Sequence, residues 1–189
     1  MLEATNCKRG AKILYRDEPH VVVEYTHMKP GKGAAFVRLK LRNMLSQSMF
    51  EQTFRPEEKF DEPKLEYNTM QYLYMDDNKC VFMNTESYEQ LEIEIDLLED
   101  VKDFLKEQAE YTMLHWNGRL IGVTPPLHME LKVTDTPPGV KGDTAQGSGT
   151  KPATLETGLV VQVPLFVNID DTVKVDTRDG KYIERVLNK

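Results

Sequence analysis

The chain has only two cysteines in 189 residues, Cys7 and Cys80, 73 positions apart. One bridge cannot staple a chain of this length, which excludes a disulfide framework and leaves two free thiols as expected in a cytosolic protein. No window approaches about 18 consecutive apolar residues, so no membrane-spanning helix and no membrane partner is expected. The stretch Met1-Leu2-Glu3-Ala4-Thr5-Asn6-Cys7-Lys8-Arg9 has no continuous apolar run, so no secretory signal is expected and the location is read as cytoplasmic. Four histidines, His20, His27, His115 and His128, have no i, i+4 partner and no neighbouring cysteine pair, which leaves a zinc site without ligands. Gly-x-Ser-x-Gly is absent. The run Gly142 to Ser148 has the glycine spacing of a phosphate loop but sets Ser148 where the lysine belongs. No catalytic constellation remains, so the expectation is a protein that is not an enzyme, with no metal and no cofactor.

What is present is a folding composition, 40% hydrophobic and 29% charged, with a net charge of −7. That net charge argues against a DNA-coating protein but not against RNA, because binding depends on where the charge sits. Residues 1–63 carry eleven Lys/Arg against nine Asp/Glu, residues 64–128 five against thirteen, and residues 129–189 eight against nine. Within 25–50 stand Lys29, Lys32, Arg38, Lys40 and Arg42 with no acid among them. Such a run is either a phosphate-facing stripe or a solvated edge with counterions. The acidic middle is expected to face solvent or a basic protein.

Periodicity points to strands. Val21 to Tyr25 is β-branched and aromatic. From Ala35 to Arg42 the apolar Val37, Leu39 and Leu41 alternate with Arg38, Lys40 and Arg42, which puts the cations outside a barrel wall. Met49 to Phe54 reads as a further strand, and Arg55 to Pro63, charged and with two prolines, as a linker. Met70–Met75 and Lys79–Met83 flank the turn residues Asp76-Asp77-Asn78. One helix is predicted from Asp96 as N-cap, with Leu97, Leu98, Val101, Phe104, Leu105 and Ala109 on one face, read as core packing rather than a partner groove. After Thr124-Pro125-Pro126, strands follow at Met129–Val133, Leu159–Val167 and Thr172–Val175, and Asp179-Gly180 makes a tight turn. The prediction is a mostly β chain of three small barrel domains, 1–63, 64–128 and 129–189, expected to be a monomer.

The loop Lys29-Pro30-Gly31-Lys32-Gly33 is the most unusual local feature. Pro30 and Gly31 suit the centre of a type II turn, and Lys32 between two glycines projects without shielding neighbours. Taken alone, it reads more readily as an ordinary hairpin turn.

With Ala35-Phe36-Val37-Arg38 and Lys40-Leu41-Arg42 after it, this loop resembles the bacterial translation elongation factor P family. Further blocks in family order are Met70-Gln71-Tyr72-Leu73-Tyr74, Thr124-Pro125-Pro126, Pro138 to Ala145, Lys151 to Gly158, Val163-Pro164-Leu165-Phe166-Val167 and Val175-Asp176-Thr177-Arg178. They cover essentially the whole chain. One departure is Asp170, where the family's signature has glycine; at a turn, this is expected to be a small local change.

The resemblance implies an N-terminal SH3-like (KOW-type) barrel and two OB-fold barrels in an L-shaped, tRNA-like arrangement. It implies binding to the ribosome, its rRNA and proteins, beside the peptidyl-tRNA, and relief of stalling at consecutive prolines. Lys32 then contacts the acceptor end of the peptidyl-tRNA, and in many members an enzyme extends this lysine. Gly142, Asp143 and Thr144 match a loop near the small-subunit exit-site codon. The alternative is a general single-stranded RNA-binding OB protein, which needs aromatic platforms among cations; Tyr72 and Tyr74 are the candidates, on a segment of charge −8.

Overall fold

The computed structural model describes residues 1–139 and 149–187. It is mostly β, as the periodicity predicts. Strands β1 (Leu2–Glu3), β2 (Lys12–Tyr15), β3 (Glu18–Met28), β4 (Phe36–Asn43), β5 (Met49–Phe54) and β6 (Lys59–Phe60) come first. They are followed by β7 (Leu65–Asp76), β8 (Lys79–Met83), β9 (Gln90–Glu94), β10 (Glu110–Trp116) and β11 (Arg119–Thr124). The last are β12 (His128–Asp135), β13 (Thr150–Leu155), β14 (Val160–Pro164), β15 (Thr172–Asp176) and β16 (Lys181–Val186). Packing divides the chain into two compact units, Met1–Tyr67 with Leu114–Gly122, and Asn68–Met113 with Val123–Lys189.

In the first unit β2-β3-β4-β5 form an antiparallel sheet and β1 pairs with β6. The alternation of β4 is realised as written: Val37, Leu39 and Leu41 are fully buried, while Arg38 and Arg42 are exposed. Ile13, Val22, Phe54 and Phe60 complete this core. The segment Arg55–Pro63 is not a plain linker. Phe60 is buried, its ring edge-on to Phe54 with centroids 4.9 Å apart, and the Glu58 carbonyl accepts from the Ala4 N–H at 2.7 Å. One aromatic in nine residues is too sparse to give a strand period, so its charge and prolines dominated the sequence reading.

The second unit holds the sheet β14-β13-β12-β15-β16 around Leu131, Val133, Leu155, Val163, Val173 and Val175. The five strands β11-β10-β7-β8-β9 form the other sheet, and the boundary between the units falls within β7, β10 and β11.

The helix predicted from Asp96 does not form. Two 3-10 turns, Ile95–Leu98 and Lys102–Phe104, stand there instead, separated by Val101 at φ −124° and ψ −3°. Glu94, not Asp96, occupies the first N-cap, and no side chain caps it. The buried residues are Leu98, Val101 and Phe104, spaced by three, while Leu97 is 74% exposed. A spacing of three is the period of a 3-10 turn, and it also fits an α-helical stripe, so the pattern could not separate the two. Tyr111 decides the conformation. Its ring is fully buried against Phe82, its hydroxyl donates to the Phe104 carbonyl, and the hydroxyl oxygen accepts from the Lys106 N–H at 2.9 Å.

Asp170 sits at φ +71°, the left-handed conformation that glycine adopts freely and aspartate tolerates. Its carboxylate pairs with the Lys132 ammonium at 2.8 Å and raises that lysine's pKa, and its N–H donates to the Val133 carbonyl. The side chain that replaces the family's glycine thus gains a partner across the turn. Both groups are largely exposed, so solvent screens the pair and it adds little to stability. Asp170→Gly is expected to change stability by no more than about 0.5 kcal/mol, and Asp170→Ala, with neither pair nor tolerance for positive φ, to lower it by about 1 kcal/mol or more in urea unfolding.

Burial pushes the Tyr111 phenol from 10.0 up to about 12, and burial with the nearby Glu62 pushes the Cys7 thiol from 9.0 up to about 11. Above those ordinary values the unfolded chain has lost protons that the folded chain still holds, so stability falls as pH rises. The contribution of Tyr111 is complete below pH 10.0 and vanishes past about 12. Tyr111→Phe orphans a buried carbonyl and N–H, and should cost about 1–3 kcal/mol near neutral pH. That cost should shrink above pH 10.0 in urea titrations; a cost independent of pH would contradict the assignment.

Candidate functional site

β3 and β4 form a long hairpin in the register Val22↔Leu41, Glu24↔Lys40, Tyr25↔Leu39, Thr26↔Arg38 and His27↔Val37, closing at Met28↔Phe36. A bulge between Val22 and Glu24 shifts the register by one residue. The strands leave a seven-residue tip, Lys29 to Ala35, of which Lys29, Pro30, Gly31, Lys32 and Gly33 are all exposed. Among the described residues Lys32 takes part in no ion pair and no hydrogen bond, and Lys29 in no ion pair.

The type II turn centred on Pro30-Gly31 is not observed. The positive φ belongs to Gly33, at +121°, and not to Gly31. A Cβ on Gly31 would meet nothing within 4 Å, whereas on Gly33 it would stand 3.7 Å from the Pro30 ring in a conformation that side chains rarely adopt. The chain reverses over the whole seven residues, so a two-residue turn at Pro30 is not needed to join the strands. Gly33 is therefore the glycine that the backbone requires.

Arg38, Lys40 and Arg42 share the outer face of β4, as the pleat dictates. They are not uncompensated, however. Lys40 lies between Glu24 of β3 and Glu51 of β5 in the cross-strand register, and its ammonium pairs with Glu24 at 3.0 Å. The Arg38 guanidinium is 3.6 Å from Glu51. Both acids stand just outside the acid-free window, one residue from each end, and only strand pairing brings them to the cations. Arg42 lies between Val21 and Met49 and, among the described residues, has no ion pair. The face therefore offers Lys29, Lys32 and Arg42 directly, while Arg38 and Lys40 must exchange a glutamate for any phosphate they contact.

Gly142, Asp143 and Thr144 lie outside the described residues. The two residues at the edges of that segment show a feature that composition does not reveal. A Cβ on Gly139 would come within 2.5 Å of the Leu165 carbonyl oxygen, and one on Gly149 within 2.9 Å of the Leu165 side chain. Gly139 thus approaches the Leu165 backbone so closely that only glycine fits, whereas at Gly149 the end of the Leu165 side chain would have to give way. The paired Pro137-Pro138 before Gly139 was the available signal of a fixed entry.

The aromatic platform required by the alternative RNA-binding reading is not assembled. Tyr72 is 7% exposed and packs on Phe82 and Tyr111, leaving Tyr74 outward from the pair. Lys79, on the neighbouring strand, is engaged with Glu92 at 3.1 Å. Among the described residues no group of three or more His, Cys, Asp or Glu side chains converges on a metal position.

Comparison with known proteins agrees with this geometry along the chain. Residues 3–60 match the elongation factor P (EF-P) KOW-like domain, residues 65–123 the elongation factor P (EF-P) OB domain, and residues 129–185 the elongation factor P C-terminal family. An elongation factor P from Caldanaerobacter subterraneus subsp. tengcongensis is 48% identical over 186 residues, which span 98% of this chain and all of that one. Another from Natranaerobius thermophilus is 50% identical over 186 residues, 98% of each chain. A solved structure of eukaryotic translation initiation factor 5A from Methanococcus jannaschii shares the fold, with a TM-score of 0.53 and 21% identity over 66% of this chain and 93% of its own. With three family models matched in order and relatives of near 50% identity along nearly its whole length, the chain belongs to the elongation factor P family of translation elongation factors.

Proposed function

We propose that this elongation factor binds the ribosome beside the peptidyl-tRNA and speeds peptide-bond formation at consecutive prolines, with Lys32 as the residue that reaches the acceptor end. The observation that supports it most is the exposed, unpaired Lys32 at the end of a strand-backed hairpin, in a chain of this family. Proline is a secondary amine with a fixed ring, so attack between prolines is slow in the geometries it allows. A factor that holds the acceptor end in register lowers the entropic part of that barrier without bond chemistry of its own. The ribosome makes the bond, and this chain is not an enzyme in this reading. A compact ammonium with rotatable donors serves as a point contact to phosphate or ribose, and a lysine-modifying enzyme can lengthen its reach.

In the same proposal 1–63, 64–128 and 129–189 act as three domains of a cytoplasmic monomer. Lys29, Arg42 and, after exchange of their glutamates, Arg38 and Lys40 meet RNA phosphates. Gly142, Asp143 and Thr144 face the small subunit.

Lys32 has no packing partner, so Lys32→Ala and Lys32→Arg should fold within about 0.5 kcal/mol of the parent. Both should still co-sediment with ribosomes, yet fail to accelerate synthesis through a Pro-Pro-Pro reporter. Acceleration by Lys32→Ala equal to the parent's would refute the tip-lysine role. The salt dependence of ribosome binding tests the strand face separately. Arg42→Glu should lower the log–log salt slope by about 0.7 to 0.9, the share of one phosphate contact. Glu24→Gln with Glu51→Gln frees Lys40 and Arg38 and should tighten binding; weaker or unchanged binding would remove those two cations from the interface.

A further inference from the structure

We propose that Tyr25 is a positioning residue for the Lys32 tip, a role that rests on the reading of Lys32 given above. The sheet register shows why one is needed. β2 pairs with β3 only from Lys12↔Val21 to Tyr15↔Glu18, and the backbone of Gly10 and Ala11 then bonds Val22. From Val23 to Met28, β3 pairs with β4, which is itself backed by β5 as far as Val37↔Phe54, and among the described residues no strand covers the other edge of β3. Beyond Val37↔Phe54 the hairpin continues as two strands only, at Met28↔Phe36, and a two-stranded ribbon twists more than a wider sheet. What holds the free edge of β3 therefore helps to set where the tip points.

Tyr25 is where that edge is gripped. Its hydroxyl donates to the Thr5 carbonyl at 3.1 Å, and the Lys8 ammonium lies 3.8 Å from its ring centroid. The ring also packs against the barrel core, opposite Leu39 across the hairpin. The N-terminal segment that supplies Thr5 and Lys8 is itself fixed. Ala4 and Cys7 are fully buried, the Ala4 N–H donates to the Glu58 carbonyl at 2.7 Å, and the Cys7 thiol donates to the Glu3 carbonyl at 3.3 Å. Three side-chain contacts of different kinds (apolar, cation–π and hydrogen bond) thus meet on one residue, three positions before the last pair Met28↔Phe36.

At about 3.4 Å of rise per residue, the hairpin runs roughly 10 Å from Tyr25 to the base of the tip. A small rotation at Tyr25 is amplified over that length, and a misplacement of about 1 Å can cost on the order of 100-fold in a reaction that depends on alignment. Tyr25 touches no partner in this arrangement. Its loss should therefore lower the maximal acceleration while leaving the concentration for half-saturation in place.

The experiment titrates full-length factor against ribosomes translating a Pro-Pro-Pro reporter. It compares the parent, Tyr25→Leu, Tyr25→Phe and Lys8→Met, with Lys32→Ala as control. The backbone order parameters of the Gly31 and Gly33 amides are measured on the free proteins. Tyr25→Leu should lower the plateau at least about three-fold and Tyr25→Phe, which keeps ring and cation but loses the hydroxyl, by less. Half-saturation should stay within about two-fold, and the glycine order parameters should fall in the same order as the plateau. Should Tyr25→Leu not fold, the graded losses in Tyr25→Phe and Lys8→Met carry the test. Parental plateaus with parental order parameters overturn the inference, even if melting temperatures drop. A raised half-saturation with an unchanged plateau also overturns it, because Tyr25 would then be a binding contact. If Lys32→Ala keeps the parental plateau, the function proposed for the tip fails instead, and the order parameters still report whether Tyr25 holds it.

Discussion

The two-residue period of β4 is the constraint on which the N-terminal unit depends. One pleat sends Val37, Leu39 and Leu41 into the core and Arg38, Lys40 and Arg42 to the surface. The same strand pairs with β3 on one side and β5 on the other, so it fixes the hairpin register and the base of the tip. A slip of one residue would bury three cations and expose three branched side chains, a cost no surface interaction could offset. Core, basic face and tip are therefore one decision made by eight residues.

Legibility in the sequence followed the same physics. Where one face is buried and the other solvated, as in β4, alternation alone locates the strand. Around Leu98, Val101 and Phe104 it failed in kind, because a spacing of three serves a 3-10 turn as well as a helix. The arbiter, the Tyr111 hydroxyl, sits on a strand later in the chain. The alternation puts Arg38, Lys40 and Arg42 on one outer face, but it does not reveal that two of them have counterions. Glu24 and Glu51 are adjacent to the basic stripe in sequence but become its counterions only through cross-strand register. The glycine with the special backbone was Gly33 rather than Gly31, since a seven-residue loop distributes its reversal differently from the two-residue turn that Pro-Gly suggests. Phe60 shows the opposite limit, one aromatic carrying a strand that its charged neighbours conceal.

Most polar contacts of the chain serve its architecture. Its ion pairs lie largely on the surface and its buried polar contacts, such as those of Tyr111 and of Lys151 to the Pro137 carbonyl at 2.7 Å, tie backbone to core. The turn after β15 is built the same way. Thr177 donates to the Pro126 carbonyl at 2.6 Å, while Arg178 clamps Asp176 and holds its carboxyl down at about 2. A family block such as Val175-Asp176-Thr177-Arg178 is thus explained by architecture, whereas the exposed Lys32 at the tip is not.

The two thiols have a practical consequence. Cys7 and Cys80 are both fully buried, and burial raises both above the ordinary cysteine value, so little of either is thiolate at neutral pH. Alkylating reagents attack the thiolate, and the folded chain therefore presents them with almost no target. Thiol-selective reagents are therefore expected to leave both native cysteines of the folded chain unlabelled. Gly31, with open space around it and no positive φ, can receive a new cysteine at the tip. A dye or spin label placed there would report the position of that loop from a single site.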